Sequence, residues 1–334
     1  MSQITVPPIP TASSQTLSAP RRFFASKQGK NRRDVHWGDR VFLWSVRLIA
    51  TALLVLLAMI VVYLYTAAQP SIARFGLSFI TTTTWDPVQE VFGALPVIFG
   101  TVVSSLLAIL MAAPLSVGIA LFLNELAPAR VSTIIGFLVE MLAAIPSVVY
   151  GLWGIFVLAP WLRTTVEPFL AKTLGFLPFF QGAQYGVGML AAGIILAIMI
   201  IPTISSISRE VFRAVPRAQR EAALALGATR WEAMRLAVLK STKTGVMGAV
   251  ILGLGRALGE TMAVTMVIGN RADISASLFA PGQTMASVIA NEYAEALAGM
   301  HVSALAEIAL VLFGVTFVVN SFARVLVWRI ARKR

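Results

Sequence analysis

Two adjoining stretches, Glu221-Ala222-Ala223-Leu224-Ala225-Leu226-Gly227 and Gly253-Leu254-Gly255-Arg256-Ala257-Leu258-Gly259-Glu260-Thr261, decide how this chain is read. The first is a helix-prone segment of small residues set in basic surroundings, shaped to plug into a partner. The second puts an arginine and a glutamate into an apolar run. A charged side chain at the centre of a bilayer costs at least about 3 kcal/mol on insertion scales and usually marks function. Together they suggest a membrane transporter driven by a separate motor subunit.

Composition agrees with a membrane location. Of 334 residues, 57% are hydrophobic and 13% charged, with a mean hydropathy of +0.81. Soluble domains carry about 25% charged residues. The net charge of +12 would suit a nucleic-acid binder, but the basic residues lie in the gaps between apolar runs rather than on one compact domain. Membrane topology explains that placement better, so no nucleic-acid partner is expected. The absence of cysteine excludes disulfides, thiol catalysis and cysteine-ligated metals. Residues 1–44, rich in Pro, Ser, Thr and Gln and then in Arg and Lys, read as a disordered tail that becomes a basic anchor. This polar lead is too long for a signal peptide.

Six apolar runs, near 45–66, 94–121, 132–159, 185–208, 241–269 and 304–328, reach the roughly 20 residues that a helix needs to cross a bilayer. Outside them, nineteen Lys and Arg fall on one side and only four (Arg74, Arg163, Lys172 and Arg271) on the other. The positive-inside bias therefore puts both termini in the cytoplasm. Trp37, Trp44, Trp161 and Trp328 stand at span ends, as interfacial aromatics do. Pro96, Pro114, Pro146 and Pro202 should kink or break the spans. The fold class is an all-α polytopic membrane protein of about six helices, with a membrane domain over 45–330 and its largest cytoplasmic loop at 209–242. No internal repeat is visible, so pseudo-symmetry would need a second subunit.

Within that loop Pro216 can start a helix, Gln219 to Leu226 are good helix formers, and Gly227 is a natural stop. Thr229-Arg230-Trp231-Glu232 fits a capping box opening the next helix. Helix, tight turn, helix follows. Ala222, Ala223 and Ala225 let a partner groove approach the backbone, and Glu221 supplies a charged handle. An ordinary amphipathic loop, or a DNA-binding helix-turn-helix, has the same outline. Spans on both sides make access to a duplex awkward.

Arg256 and Glu260, four apart, should share a helix face, with Gly255 and Gly259 as a close-packing pair. One reading is an ion pair that aids assembly. The other is an anion path, in which the planar guanidinium grips an oxyanion, Glu260 tempers its charge and Thr261 adds a hydroxyl. The G-x-G-x-x-x-G spacing, with no preceding strand, is not a dinucleotide fingerprint, and no G-x-x-x-x-G-K-[ST] motif is present. ATP hydrolysis is therefore expected elsewhere.

The spacing of Glu221-Ala222-Ala223 and Gly227 resembles the signature loop of ABC-importer permeases, which docks into the ATPase subunit. That pattern continues with a branched aliphatic, any residue, Leu and Pro, where this chain has Ala237, Val238, Leu239 and Lys240. Leu252 to Val264 resembles the phosphate-specific ABC-importer permeases of PstC type. So do Pro114 to Ala120 with Asn124-Glu125, Ile145 to Leu152, and Ser287 to Glu292, the last taken as an external loop. The resemblance covers roughly 75 to 330. It implies a type I importer permease fold and a multi-pass protein of the bacterial inner membrane, forming half of a heterodimeric pore for inorganic phosphate. It implies a second permease of PstA type, a homodimeric ATPase of PstB type gripping the 217–240 loop, and a phosphate-binding protein of PstS type. It assigns substrate translocation to Arg256 and Glu260. Magnesium and ATP would sit on the ATPase, with no cofactor in this chain. Permeases for sulfate or molybdate, an ATP-independent anion carrier and a non-transporting scaffold are the alternatives.

Other polar residues carry weaker signals. Glu140 reads as a residue of span three, facing the path or pairing near its cytoplasmic end. Glu307 reads as interfacial, Thr81 to Trp85 as a solvated loop, and His36 and His301 as isolated residues without ligand-like spacing.

Overall fold

The computed structural model describes residues 37–296 and 299–332. Six of its helices are long and apolar enough to cross a membrane: Trp37–Phe75, Leu95–Leu126, Ser147–Leu174, Met189–Arg213, Arg230–Leu258 and Met300–Arg329, here spans one to six. Among the described residues there is no strand, only an isolated bridge between Asp86 and Val91. The tail expected over 1–44 lies outside the described residues up to position 36; from Trp37 the chain is already helical. The chain divides into two compact units, Met1–Leu57 and Ala58–Arg334. In the first, the start of span one exposes its apolar side chains and sets the Arg47 guanidinium 5.9 Å over the Trp44 ring. All packing described below belongs to the second.

Span four is the centre of that unit. Its residues are apolar on nearly every side, the pattern of a helix enclosed by protein, and Ile195, Leu196, Ile200 and Ile204 are fully buried. Neighbours reach it through glycine. Leu107 of span two sits over Gly193, and Gly253 of span five lies so near Ile204 that an added Cβ would fall 2.7 Å from its side chain. The close approach expected of Gly255 and Gly259 is therefore made by Gly253. Gly255 has only ordinary contact with Asn320 of span six.

The buried start of span four needs partners for its free N–H groups. The segment after span five supplies them. The amides of Gly188, Met189 and Leu190 donate to the carbonyls of Val267, Ala280 and Leu278 at 2.9, 3.1 and 2.8 Å. Phe279, fully buried, anchors that segment.

Span three differs from the expected 132–159. Ile145, before a proline, is driven out of the helical region (φ −70°, ψ 127°), so the helix Ala129–Ala144 ends there and span three starts afresh at Ser147. Pro146 thus breaks the chain rather than kinking it. Span three then runs on to Leu174 through two π turns, Gly154–Leu158 and Leu162–Val166, on either side of Pro160. Arg163 and Lys172 become part of this helix. Ser287 to Glu292, expected as a loop, is the greater part of an eight-residue helix, Met285–Glu292, capped by Thr284.

Candidate functional site

Span five carries the charged segment, and the helix stops within it. It ends at Leu258; Gly259 is the cap (φ −99°, ψ 1°), and a short helix, Met262–Val267, follows. Arg256 and Glu260 therefore do not share a helix face, and no ion pair joins them among the described residues. Arg256, exposed in this chain, donates from Nη1 to the Thr203 hydroxyl at 3.1 Å. Thr203 follows Pro202 inside span four. The Glu260 Oε1 accepts weakly from the Ala263 amide at 3.4 Å. The Thr261 hydroxyl donates to the Gly259 carbonyl at 3.3 Å. The first turn after the break packs on span three, where Gly151 leaves room for Met266 and Ala263. Chemically, the site is an arginine with one neutral partner beside an interrupted helix. Irregular backbone at membrane depth is tolerated where it is covered by protein or lines a cavity.

The 209–242 loop holds the second group. The helix Arg217–Ala225 is preceded by Pro216 in an extended cap conformation (ψ 138°), so it starts one position after the expected Pro216. It ends in a full Schellman motif: Gly227 donates to the Leu224 carbonyl at 3.0 Å and Ala228 to that of Ala223 at 3.2 Å, with Gly227 at φ +87°. The capping box is present: the Thr229 hydroxyl accepts from the Glu232 amide, and Glu232 Oε2 accepts from the Thr229 amide at 2.8 Å. Glu221, Ala222 and Gly227 are exposed, Ala223 half-buried, and Leu226 stands 90% exposed. The small, apolar face of this helix is thus open. From Arg230 the next helix continues through a π turn, Met234–Leu239, and on past Lys240, so no break occurs where the resembled pattern has its proline.

Two arginines missed by sequence reasoning tie this region together. Arg220 Nη2 meets Glu125 Oε1 at 2.7 Å and the Phe212 carbonyl at 2.9 Å, while Nη1 reaches the Val215 carbonyl at 3.1 Å. Arg209 Nη2 meets the Ser132 hydroxyl at 2.9 Å and its carbonyl at 3.2 Å, holding the Ala129–Ala144 helix to span four; Gly136 leaves room for the guanidinium. Glu140 lies on that separate helix, exposed, and not in span three. Glu307 is buried within the protein. His301 is not isolated: its Nε2 lies 2.9 Å from Glu292 Oε2, and the Trp85 indole donates to the same carboxylate at 2.9 Å. Trp85, expected to be solvated, packs on Phe92.

Six apolar helices, one interrupted at a charged segment, with a helix–turn–helix exposed between spans four and five, define a polytopic membrane permease. The chain belongs to the family of binding-protein-dependent transport system inner membrane components, whose model matches residues 114–332. It is 47% identical over 307 residues to the phosphate transport system permease protein PstC of Pasteurella multocida, covering 91% of this chain and 96% of that protein. It is 41% identical over 303 residues to PstC 2 of Mycobacterium tuberculosis, covering 87% and 92%. Among solved structures it resembles a chain of a bacterial alginate ABC transporter, with a TM-score of 0.60 at 15% identity over 89% of this chain and 98% of that one. A chain of the inward-facing MetNI methionine ABC transporter gives 0.53 at 15% identity, over 74% and 99%. These likenesses establish the ABC type I importer permease fold.

Proposed function

We propose that this chain is the transmembrane permease subunit of an ATP-driven importer of inorganic phosphate and forms half of a heterodimeric pore. The observation that carries this reading is Arg256. In a chain so similar to PstC proteins, an arginine stands at a broken membrane helix with a single neutral hydrogen-bond partner. A guanidinium presents five donors in a fork that matches phosphate oxygens. Thr203 orients the fork and leaves most of those donors for an anion. Glu260 lies close in sequence without pairing, so it lowers the local positive potential without closing the site, and a bound anion can leave. The helix break contributes backbone groups along the path.

The partners in this reading are a second permease of PstA type, an ATPase dimer of PstB type that takes up the exposed Glu221–Gly227 face, and an external phosphate-binding protein of PstS type. ATP and magnesium belong to the ATPase, and this chain does no chemistry on them. The chain sits in the inner membrane with both termini cytoplasmic, which the surplus of Lys and Arg on the side of the 209–242 loop supports.

Phosphate uptake at low external concentration tests the reading. Cells without their own high-affinity system would carry this chain with its neighbouring subunits, against excess sulfate and molybdate. The expected result is ATP-dependent uptake that needs this chain and resists both competitors. Uptake blocked by one competitor would reassign the substrate, and uptake independent of ATP would reassign the class.

A further inference from the structure

We propose that Arg220 and Glu125 form a strut that carries movement of the Arg217–Ala225 helix into spans two and four, as positioning residues for transport. The proposal rests on the reading of the chain as an ATP-driven permease.

Arg220 is the fourth residue of the exposed helix, yet its guanidinium is turned inward. It joins three segments at once. Glu125 belongs to the π turn Phe122–Leu126 that ends span two; Phe212 lies in the last turn of span four; Val215 is in the link to the helix itself. The two side chains retain only 22% and 11% of their exposure, and Asn124 Nδ2 donates to the same Glu125 oxygen at 2.7 Å. No residue of the Arg217–Ala225 helix is itself buried. Among the described residues, Arg220 supplies the side-chain hydrogen bonds that tie this helix to spans two and four.

Beside the pair, Ala120, Leu121, Phe212, Val215, Met234 and Val238 form an apolar cluster shared by spans two, four and five and the link after span four. Apolar contact is non-directional and lets surfaces slide. A guanidinium held by a carboxylate and two carbonyls is directional, and losing one partner leaves a charge uncompensated in a withdrawn site. A pull on the helix is thus passed to the ends of both spans together instead of being absorbed by the loop.

The test uses the complete complex in proteoliposomes, measuring inorganic phosphate taken up per ATP hydrolysed and the ATPase subunit retained. Arg220→Met keeps the stem and removes the fork. It should lower uptake per ATP about tenfold, within the usual range of coupling free energies, with the ATPase subunit still bound. Glu125→Gln, which keeps an acceptor, should give a smaller fall. The chain has no cysteine of its own, so Glu125→Cys with Arg220→Cys can be bridged specifically within it by a short bifunctional thiol reagent. Bridging should raise the ratio again. An unchanged ratio in Arg220→Met would overturn the proposal. So would joint loss of uptake and bound ATPase that bridging does not repair, because the pair would then only maintain the fold. If Arg220→Met does not assemble, an unchanged ratio in Glu125→Gln overturns the proposal by itself. Failure of the permease reading would show separately, as absent ATP-dependent uptake in the unsubstituted complex.

Discussion

Arg220 and Arg256 are the same side chain in opposite circumstances. Arg220 is largely enclosed and spends its guanidinium on a carboxylate and two carbonyls. Arg256 is exposed and bonds one hydroxyl. A guanidinium supplied with protein acceptors is fixed and transmits geometry, whereas one left with free donors is available to a ligand. Position in the sequence does not separate them, since Arg220 adjoins one of the two deciding stretches and Arg256 lies in the other. The difference comes from the local backbone. Around Arg220 the ends of spans two and four bring carbonyls and Glu125 together. At Arg256 the helix ends two residues later, and Glu260 accepts from the Ala263 amide instead of pairing with the guanidinium.

The comparison can be broken from either side. The largest effect is expected at Gly227, which holds the seating of the Arg217–Ala225 helix. At φ +87° a valine is strained by on the order of 1–3 kcal/mol, although nothing lies within 4 Å of where its Cβ would be. Gly227→Val should abolish uptake and weaken retention of the ATPase in pull-downs. Gly227→Asn, which tolerates left-handed backbone, should restore much of both. That contrast would show conformation, not bulk, to be the cause.

On the open side, Arg256→Lys keeps the charge and loses the fork. Uptake should fall about tenfold, a loss of roughly 1.4 kcal/mol of bidentate recognition. Thr203→Val removes the orienting hydroxyl at nearly constant shape. Loss of one ordinary hydrogen bond, about 0.5–1.5 kcal/mol, should reduce uptake severalfold without altering ATPase retention. Thr229→Ala removes a helix cap that hydrogen-bonds neither arginine and should cost about 1 kcal/mol of local stability. Uptake should stay near normal, with faster amide exchange confined to residues after Ala228. A larger loss there than at Thr203 would reverse the ranking on which the comparison depends.

Much of this was legible in the sequence because it is local. The six apolar runs are continuous, the Thr229–Glu232 box spans one turn, and Gly227 follows a run of helix formers. The boundaries at Pro146 and Gly259 were harder. The residues around Pro146 are apolar on both sides, so hydropathy reads through a break that is set by steric restriction at Ile145. At Gly259 an i, i+4 spacing promised an ion pair, but it required a continuous helix, and the helix ends at Leu258. The Arg220–Glu125 pair lies 95 residues apart in the chain. Only the packing of spans two and four unites it. The same holds for Thr203, an ordinary residue until span five lies against it.

The most direct measurement is labelled phosphate uptake by the complete complex carrying Arg256→Gln, made alongside the amount of ATPase subunit that co-purifies. Loss of two charge-assisted hydrogen bonds, each worth about 1.5–3 kcal/mol, should lower uptake roughly a hundredfold or more, with the ATPase fully retained. Normal uptake, or a complex that no longer assembles, would contradict the account of Arg256 as the open arginine of the anion path.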